Sequence, residues 1–238
     1  FKDRLLFSKR GIKSTILALA PFTVVFAPLL WYNYARFGSI FDFGSAYNLT
    51  GFDMTAYHQR YLFTFLLMAV YLFWPITPTG SFPFVEPMDP FFLSYGWAPN
   101  EPFFGGMFAM APILLFALAM PFLSRTFKAK QVWAFSILCI AFALVVLFVD
   151  TRVAGLTERY ICDFGFYFAL VACLSLLALQ EKLETDRRKE RIVMGAAIFL
   201  AVFTLTVGAL ALFSTERYEA ISAQNPELYS QVSGFFEQ

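Results

Sequence analysis

Arg36 and Asp42 lie directly after a long apolar stretch, within the segment Asn33–Gly44. A guanidinium and a carboxylate this close in sequence could pair with each other, or together grip a polar ligand at the edge of a membrane. The alternative is a helix stop in which Arg36 sits at the membrane interface among aromatic residues. Both interpretations place these two side chains at the end of a membrane-crossing helix.

A second charged group surrounds a very short turn between two apolar segments. Asp150 and Arg152 precede the turn, and Arg159 and Asp163 follow it. Arg159 and Asp163 are spaced to face each other on one helix, so one interpretation is a structural ion pair that locks the hairpin. The other is that Arg152 or Arg159 binds a lipid phosphate in an outer cavity, because a guanidinium matches a phosphate in charge and geometry.

The segment Asn100–Gly106 has the composition of a helix start. Asn100 is a suitable N-cap and Pro102 a suitable first-turn residue. The positive end of such a helix could take a phosphate, and Gly105 and Gly106 would let another backbone or a ligand come close. The alternative is helix initiation with no bound ligand.

The sequence lacks the residues or motifs that metal sites, histidine-based catalytic sites and nucleotide-binding sites usually require. His58 is the only histidine, and there is no paired CxxC, no phosphate loop and no dinucleotide fingerprint. We therefore predict no metal site, identify no cofactor and predict no nucleic-acid partner.

The composition predicts an all-α, polytopic helical membrane protein. Of the 238 residues, 59% are hydrophobic and 15% are charged, whereas a soluble domain has about 45–50% apolar and about 25% charged residues. Such an excess of apolar surface requires lipid around it. Because the chain begins at Phe1 and a basic stretch leads straight into an apolar segment, we expect it to be the C-terminal part of a longer protein.

About five segments are long and apolar enough to cross a bilayer, for which roughly 20 residues are needed. They form a transmembrane domain over residues 1–213, with a long outer loop at 36–101 and an outer tail at 214–238. The predicted spans are residues 15–35, 102–123, 132–149, 160–179 and 192–213.

Most of the 18 basic residues fall on one side of this arrangement. They precede the first span, separate the second from the third, and separate the fourth from the fifth. Since basic loops are retained in the cytoplasm, we predict a multi-pass protein of the plasma (inner) membrane. Its N-terminus is then cytoplasmic and its C-terminal tail lies outside.

One further apolar segment, Tyr61–Trp74, is short for a span. If this segment crossed the membrane, all later loops would change sides, and the basic loops would lie outside the cell, against the usual preference of basic residues for the cytoplasmic side. We therefore predict an aromatic-rich interfacial or re-entrant helix within the outer loop. The proline-rich residues 75–102 that follow are predicted to form an irregular cap.

The stretch Asn33–Gly44 resembles a recurrent element of bacterial integral membrane glycosyltransferases of the GT-C type, which are similar to protein O-mannosyltransferases. The segments Phe82–Phe84 and Arg159–Phe164 look like parts of the same pattern. The resemblance covers about residues 33–177, the C-terminal half of such an enzyme.

The resemblance implies an enzyme that moves a sugar from a polyprenyl-phosphate carrier to a glycan, protein or lipid acceptor on the outer side of the bilayer. This chain would shape the donor-lipid cavity, and the usual acidic loop of the family would precede Phe1. Within the chain, the outer carboxylates to test as catalysts are Asp42 and Glu101. The side chains that would contact the substrate are Arg36, Arg152, Arg159 and Asp163.

Two other functions fit a polytopic helical protein. A transporter or flippase module would carry charged residues at mid-membrane, but the predicted spans are nearly free of charge at their centres. A non-catalytic membrane scaffold with an outer interaction loop is the third possibility.

Overall fold

The computed structural model describes residues 11–44, 47, 60–88, 102–129, 132–215 and 220–236. The described chain is 78% helical with almost no strand, which confirms the predicted all-α class. It divides into two units, Phe1–Tyr57 and His58–Gln238. The candidate Glu101 and the predicted N-cap Asn100 lie outside the described residues.

In the first unit, residues 11–44 and 47 are described, and they include the helix α1 (Ile12–Phe37), which overlaps the first predicted span. It runs through Pro21 and Pro28 and ends at Gly38, whose backbone is left-handed at φ 75°. The amide of Gly38 donates to the carbonyl of Tyr34 at 2.9 Å, so one of the last carbonyls of the helix is satisfied.

The second unit holds the remaining elements. Strands β1 and β2 form a small antiparallel hairpin, in which Thr77 faces Glu86 and Pro78 faces Val85. In chain order the elements are α2 (Tyr61–Phe73), β1 (Thr77–Pro78), β2 (Val85–Glu86), α3 (Met107–Met110), a 3-10 helix (Pro112–Leu123), α4 (Ser124–Ala129), α5 (Trp133–Ala154), a 3-10 turn (Glu158–Tyr160), α6 (Ile161–Leu183), α7 (Arg187–Leu212), α8 (Ile221–Gln224) and α9 (Pro226–Phe236).

Four stretches of helix in the described chain are long and apolar enough to cross a membrane. They are Pro112–Ala129, Trp133–Ala154, Glu158–Leu183 and Arg187–Leu212, which correspond to the last four predicted spans. The helix α1 is not among these four, so the fifth crossing stays a prediction. The short helix α2 is confirmed, whereas its predicted place at the membrane interface stays a prediction.

The predicted helix start at Pro102 is wrong. Residues 102–106 are not helical, and the first helical residue is Met107. The reason is a set of long-range hydrogen bonds that hold this segment extended. The carbonyl of Phe103 accepts from the amide of Met88 at 2.7 Å, and the amide of Gly106 donates to the carbonyl of Trp74 at 2.9 Å.

The 3-10 helix shows its three-residue period in its packing. Its buried residues are Ala117, Met120 and Leu123, each three positions after the last. Side chains three apart eclipse one another in a 3-10 helix, so these three form one row. That row belongs to the main core, together with buried residues of α5 and α6 such as Leu147 and Phe168.

A second, smaller core joins the hairpin to α7. It contains Val85, Phe104, Val207 and Ala211. The C-terminal helix α9 reaches the same hairpin, because the ring of Phe236 stacks on that of Phe82 with centroids 5.3 Å apart.

Candidate functional site

The turn between α5 and α6 is fixed in place by a buried tyrosine on α2. The hydroxyl of Tyr71 accepts from the amide of Thr157 at 2.6 Å. It also lies 2.9 Å from the carbonyl oxygen of Gly155 and 3.1 Å from that of Thr157, to either of which its hydrogen can be donated. Gly155 has φ 75°, a conformation that favours glycine. The turn therefore has one defined shape.

The ring of Tyr71 is as firmly held as its hydroxyl. It is fully buried and meets the rings of Phe103 and Phe164 edge-to-face, each at 5.6 Å between centroids. Such contacts match the positive edge of one ring to the negative face of another. The extended segment, α2 and α6 thus converge on one side chain.

Glu158 connects the turn to the extended segment. Its Oε2 accepts from the amide of Phe104 at 3.0 Å. At Gly106 the segment passes so close to α2 that a Cβ there would lie 2.6 Å from the nitrogen of Trp74 and 2.7 Å from that of Phe73. The prediction that this glycine admits another backbone is confirmed, and the partner is the C-terminal end of α2.

Two oxygens near the turn are buried without a hydrogen-bond partner in the described structure, namely Oδ2 of Asp150 and Oγ1 of Thr157. Asp163 lies close enough to Asp150 for the two carboxylates to repel each other. Burial raises the pKa of the Tyr71 phenol against the opposing effect of the Thr157 amide, and the negative charges of Asp150 and Glu158 raise it further. The turn is therefore a place where negative charge accumulates.

The two predicted arginines flank this turn. The guanidinium of Arg152 lies over the ring of Tyr61, 4.0 Å from its centroid, and that of Arg159 lies 5.2 Å from the centroid of Tyr160. Arg159 is exposed and Arg152 is half-buried. Cation–π contacts of this kind orient a guanidinium relative to the ring.

The predicted ion pair between Arg159 and Asp163 is not present among the described residues. Arg159 belongs to the 3-10 turn, and α6 begins only at Ile161. The two side chains therefore do not have the four-residue spacing of a single α-helix. Asp163 is exposed in the first turn of α6.

Arg36 and Asp42 belong to the first unit and do not pair with each other. The guanidinium of Arg36 donates to the hydroxyl of Tyr32 at 2.9 Å and lies 5.2 Å from the ring centroid of Phe37. Oδ1 of Asp42 accepts from the amide of Gly44 at 2.8 Å. Each charge is thus held by neighbours in sequence.

The residues that sequence reasoning missed are Tyr71 and Glu158 in their connecting roles. Tyr71 was one aromatic among many in an apolar helix, and its bonds reach 84 and 86 residues along the chain. The sequence does contain a signal for this role. Tyr61, Thr64 and Tyr71 carry the only hydroxyl groups of the apolar helix α2, and a buried phenol needs a hydrogen-bond partner.

The turn carries charges of both signs. The guanidiniums of Arg152 and Arg159 and the carboxylates of Asp150, Glu158 and Asp163 stand where two helices of membrane-crossing length meet, so the turn offers both donors and acceptors of charged hydrogen bonds. Over the described residues, no group of three histidine, cysteine or carboxylate side chains could hold a metal ion. No protein-family model, curated protein or solved structure matches this chain.

Proposed function

We propose that this chain is the C-terminal membrane portion of a glycosyltransferase that moves a sugar from a polyprenyl-phosphate carrier to an acceptor on the outer side. In this proposal the turn between α5 and α6 contacts the carrier phosphate. The observation that supports it is the pair of guanidiniums of Arg152 and Arg159, held over aromatic rings on a turn that Tyr71 fixes.

A carrier phosphate needs cationic donors at the depth of the lipid headgroups. Arginine provides several N–H groups in one plane, so it can bind a phosphate through two parallel hydrogen bonds. Because Gly155 and Thr157 are bonded to Tyr71, the two arginines need little reorganisation before they bind.

The polyprenyl chain needs an apolar surface directly beside the phosphate. Val149, just before the turn, is 49% exposed, and Phe166, just after it, is 60% exposed. Both belong to helices of membrane-crossing length. An isoprenoid tail that runs along α5 and α6 therefore meets apolar side chains as soon as it leaves the arginines.

The sugar would then lie among the carboxylates. Asp163 is exposed beside the turn, whereas Oδ2 of Asp150 is buried, so Asp163 is the carboxylate within reach of a sugar. Carboxylates accept hydrogen bonds from sugar hydroxyls. Asp42 and Glu101 stay the proposed candidates for a catalytic carboxylate, and Arg36 stays a proposed substrate contact.

The test is binding of undecaprenyl phosphate, with and without an attached hexose, to the purified protein in detergent. Arg152→Ala and Arg159→Ala should each weaken binding about tenfold or more, since a hydrogen bond to a charged group contributes about 1.5–3 kcal/mol. Arg188→Ala is the matched control, because Arg188 is an exposed arginine at the start of α7, which follows the end of α6 remote from Arg159.

Sugar release in the same samples distinguishes an enzyme from a carrier-binding scaffold or a flippase. Binding with release of the sugar to an acceptor supports the proposal. Equal losses of binding in all three variants would contradict the assignment of the turn, and specific binding without release from any donor would favour a transporter or scaffold.

A further inference from the structure

A groove of about 250 Å³ opens on the second unit at the end of α6 remote from Arg159. It lies between α4, the start of α5 and the last turns of α6. Most of its lining is apolar, and two polar side chains complete it; the lining residues are Thr126, Phe127, Val132, Leu174, Leu177, Ala178 and Glu181.

Basic residues adjoin the lining residues in the sequence. Arg125 and Lys128 flank the lining residues of α4, and Lys182 follows Glu181 on α6; all three basic side chains are exposed. Glu181 is the single acidic side chain of the lining. Glu184, which is exposed at the end of α6, adds a second negative charge, so three positive charges against two negative charges leave an excess of one positive charge.

We propose that this groove binds an anionic phospholipid, with an acyl chain against its apolar wall and the phosphate held by Arg125, Lys128 and Lys182. The groove is formed by helices of membrane-crossing length, so lipid is the medium that surrounds it. Apolar walls alone would accept any lipid, but the excess positive charge favours a headgroup with net negative charge. This proposal is independent of the glycosyltransferase function.

Trp133 provides a spectroscopic reporter beside the groove. The ammonium of Lys128 lies 5.5 Å from its ring centroid, and the ring of Phe127, a lining residue, meets it edge-on at 6.4 Å. A lipid with bromine atoms near the top of its acyl chain would quench Trp133 when it occupies the groove.

The experiment uses the full chain in vesicles that contain brominated phosphatidylglycerol, brominated phosphatidylethanolamine or brominated phosphatidylcholine in an unbrominated background. The signal is the quenching that Trp133→Phe abolishes, which removes the contribution of the other tryptophans. The test variant is Arg125→Gln combined with Lys128→Gln and Lys182→Gln. The control is Arg188→Gln, an exposed basic residue on α7 outside the groove.

We expect phosphatidylglycerol to reach half of its maximal quenching at a lower mole fraction than the two zwitterionic lipids. The triple glutamine variant should lose this preference for phosphatidylglycerol, because each basic residue near an anionic surface contributes about 1 kcal/mol, or about fivefold in affinity. Arg188→Gln should leave the preference unchanged. Ala178→Leu, which narrows the groove and leaves the charge intact, should reduce quenching by all three lipids.

Two results would overturn the proposal. One is equal quenching by the three lipids, or stronger quenching by phosphatidylethanolamine, whose ammonium could pair with Glu181. The other is an undiminished preference for phosphatidylglycerol in the glutamine variant, which would assign the selectivity to another surface. Circular dichroism of each variant checks that the helices are intact.

Discussion

Tyr71 and Thr157 are joined through one hydroxyl group, which accepts from the Thr157 amide at 2.6 Å and lies 3.1 Å from the Thr157 carbonyl oxygen. The two residues are 86 positions apart in the chain. This contact ties a helix too short to be a typical span to the turn between two full-length ones. The position of both arginines therefore depends on a residue that is itself fully buried.

Tyr71→Phe should lower the free energy of unfolding by about 1–3 kcal/mol, because it leaves the buried amide of Thr157 without an acceptor. Thermal unfolding in detergent measures the change. Tyr61→Phe is the control, since Tyr61 is exposed and its ring can still lie under Arg152. Equal effects of the two substitutions would show that the hydroxyl of Tyr71 has no special role.

Gly106→Ala should destabilise the protein by about 1–3 kcal/mol or more, since the added Cβ would meet the backbone of α2 and neither chain can move freely. Gly208→Ala provides the opposite case. Gly208 is in the helix α7 with no atom within 4 Å of an added Cβ, so alanine should raise stability by about 0.5–1 kcal/mol. The two midpoints of unfolding, measured side by side, should move in opposite directions.

Cysteine labelling tests the arrangement of the spans. In a background without the three native cysteines, Ser81→Cys and Thr185→Cys should react with an impermeant reagent from opposite sides, because three spans separate the hairpin from the turn between α6 and α7. Ser81 and Thr185 are both exposed. Reaction of both from the same side would contradict the predicted topology.

Asp186 should give a small dependence of stability on pH. Its side chain bonds the ammonium of Lys189 and caps α7 at the Lys189 amide, and these bonds lower the pKa of Asp186. The unfolded chain therefore takes up the proton first as the pH falls. The ionised Asp186 therefore stabilises the folded protein fully above the usual carboxyl pKa, about 4. This contribution is lost as the pH falls through the lower pKa that Asp186 has in the folded protein.

The difference in unfolding midpoint between the wild type and Asp186→Asn should accordingly shrink when the pH is lowered below about 4. Glu184→Gln removes the same charge from the same turn without touching the cap. A difference that stays constant over this range would contradict a depressed pKa at Asp186.

Hydropathy was sufficient to predict the helices α5, α6 and α7. A segment that crosses lipid needs a long run of apolar side chains and must satisfy its backbone hydrogen bonds within its own helix, whatever its neighbours are. It failed at Phe103 and Phe104. These two side chains are as apolar as those of a span, but their backbone bonds go to Met88 and Glu158, far away in the sequence. A local pattern cannot distinguish a residue buried by lipid from one buried by other parts of the protein.

The candidate site was predicted in part for the same reason. Arg152 and Arg159 were identified because charges beside apolar segments are rare, and the structure brings both to one turn. Their orientation could not be predicted, since it depends on Tyr61 and on the conformation of the turn. The pairing expected between Arg159 and Asp163 failed because the helix begins two residues later than the pattern requires.

The 3-10 conformation of Pro112–Leu123 affects how far the first of the four described spans can reach. A 3-10 helix rises about 2.0 Å per residue against about 1.5 Å for an α-helix. Its 12 residues therefore extend roughly 24 Å, and the six residues of α4 add roughly 9 Å. Their sum, roughly 33 Å, is enough to cross a bilayer core of about 30 Å, so the longer rise of the 3-10 helix compensates for the loss of residues 102–106 from the predicted span.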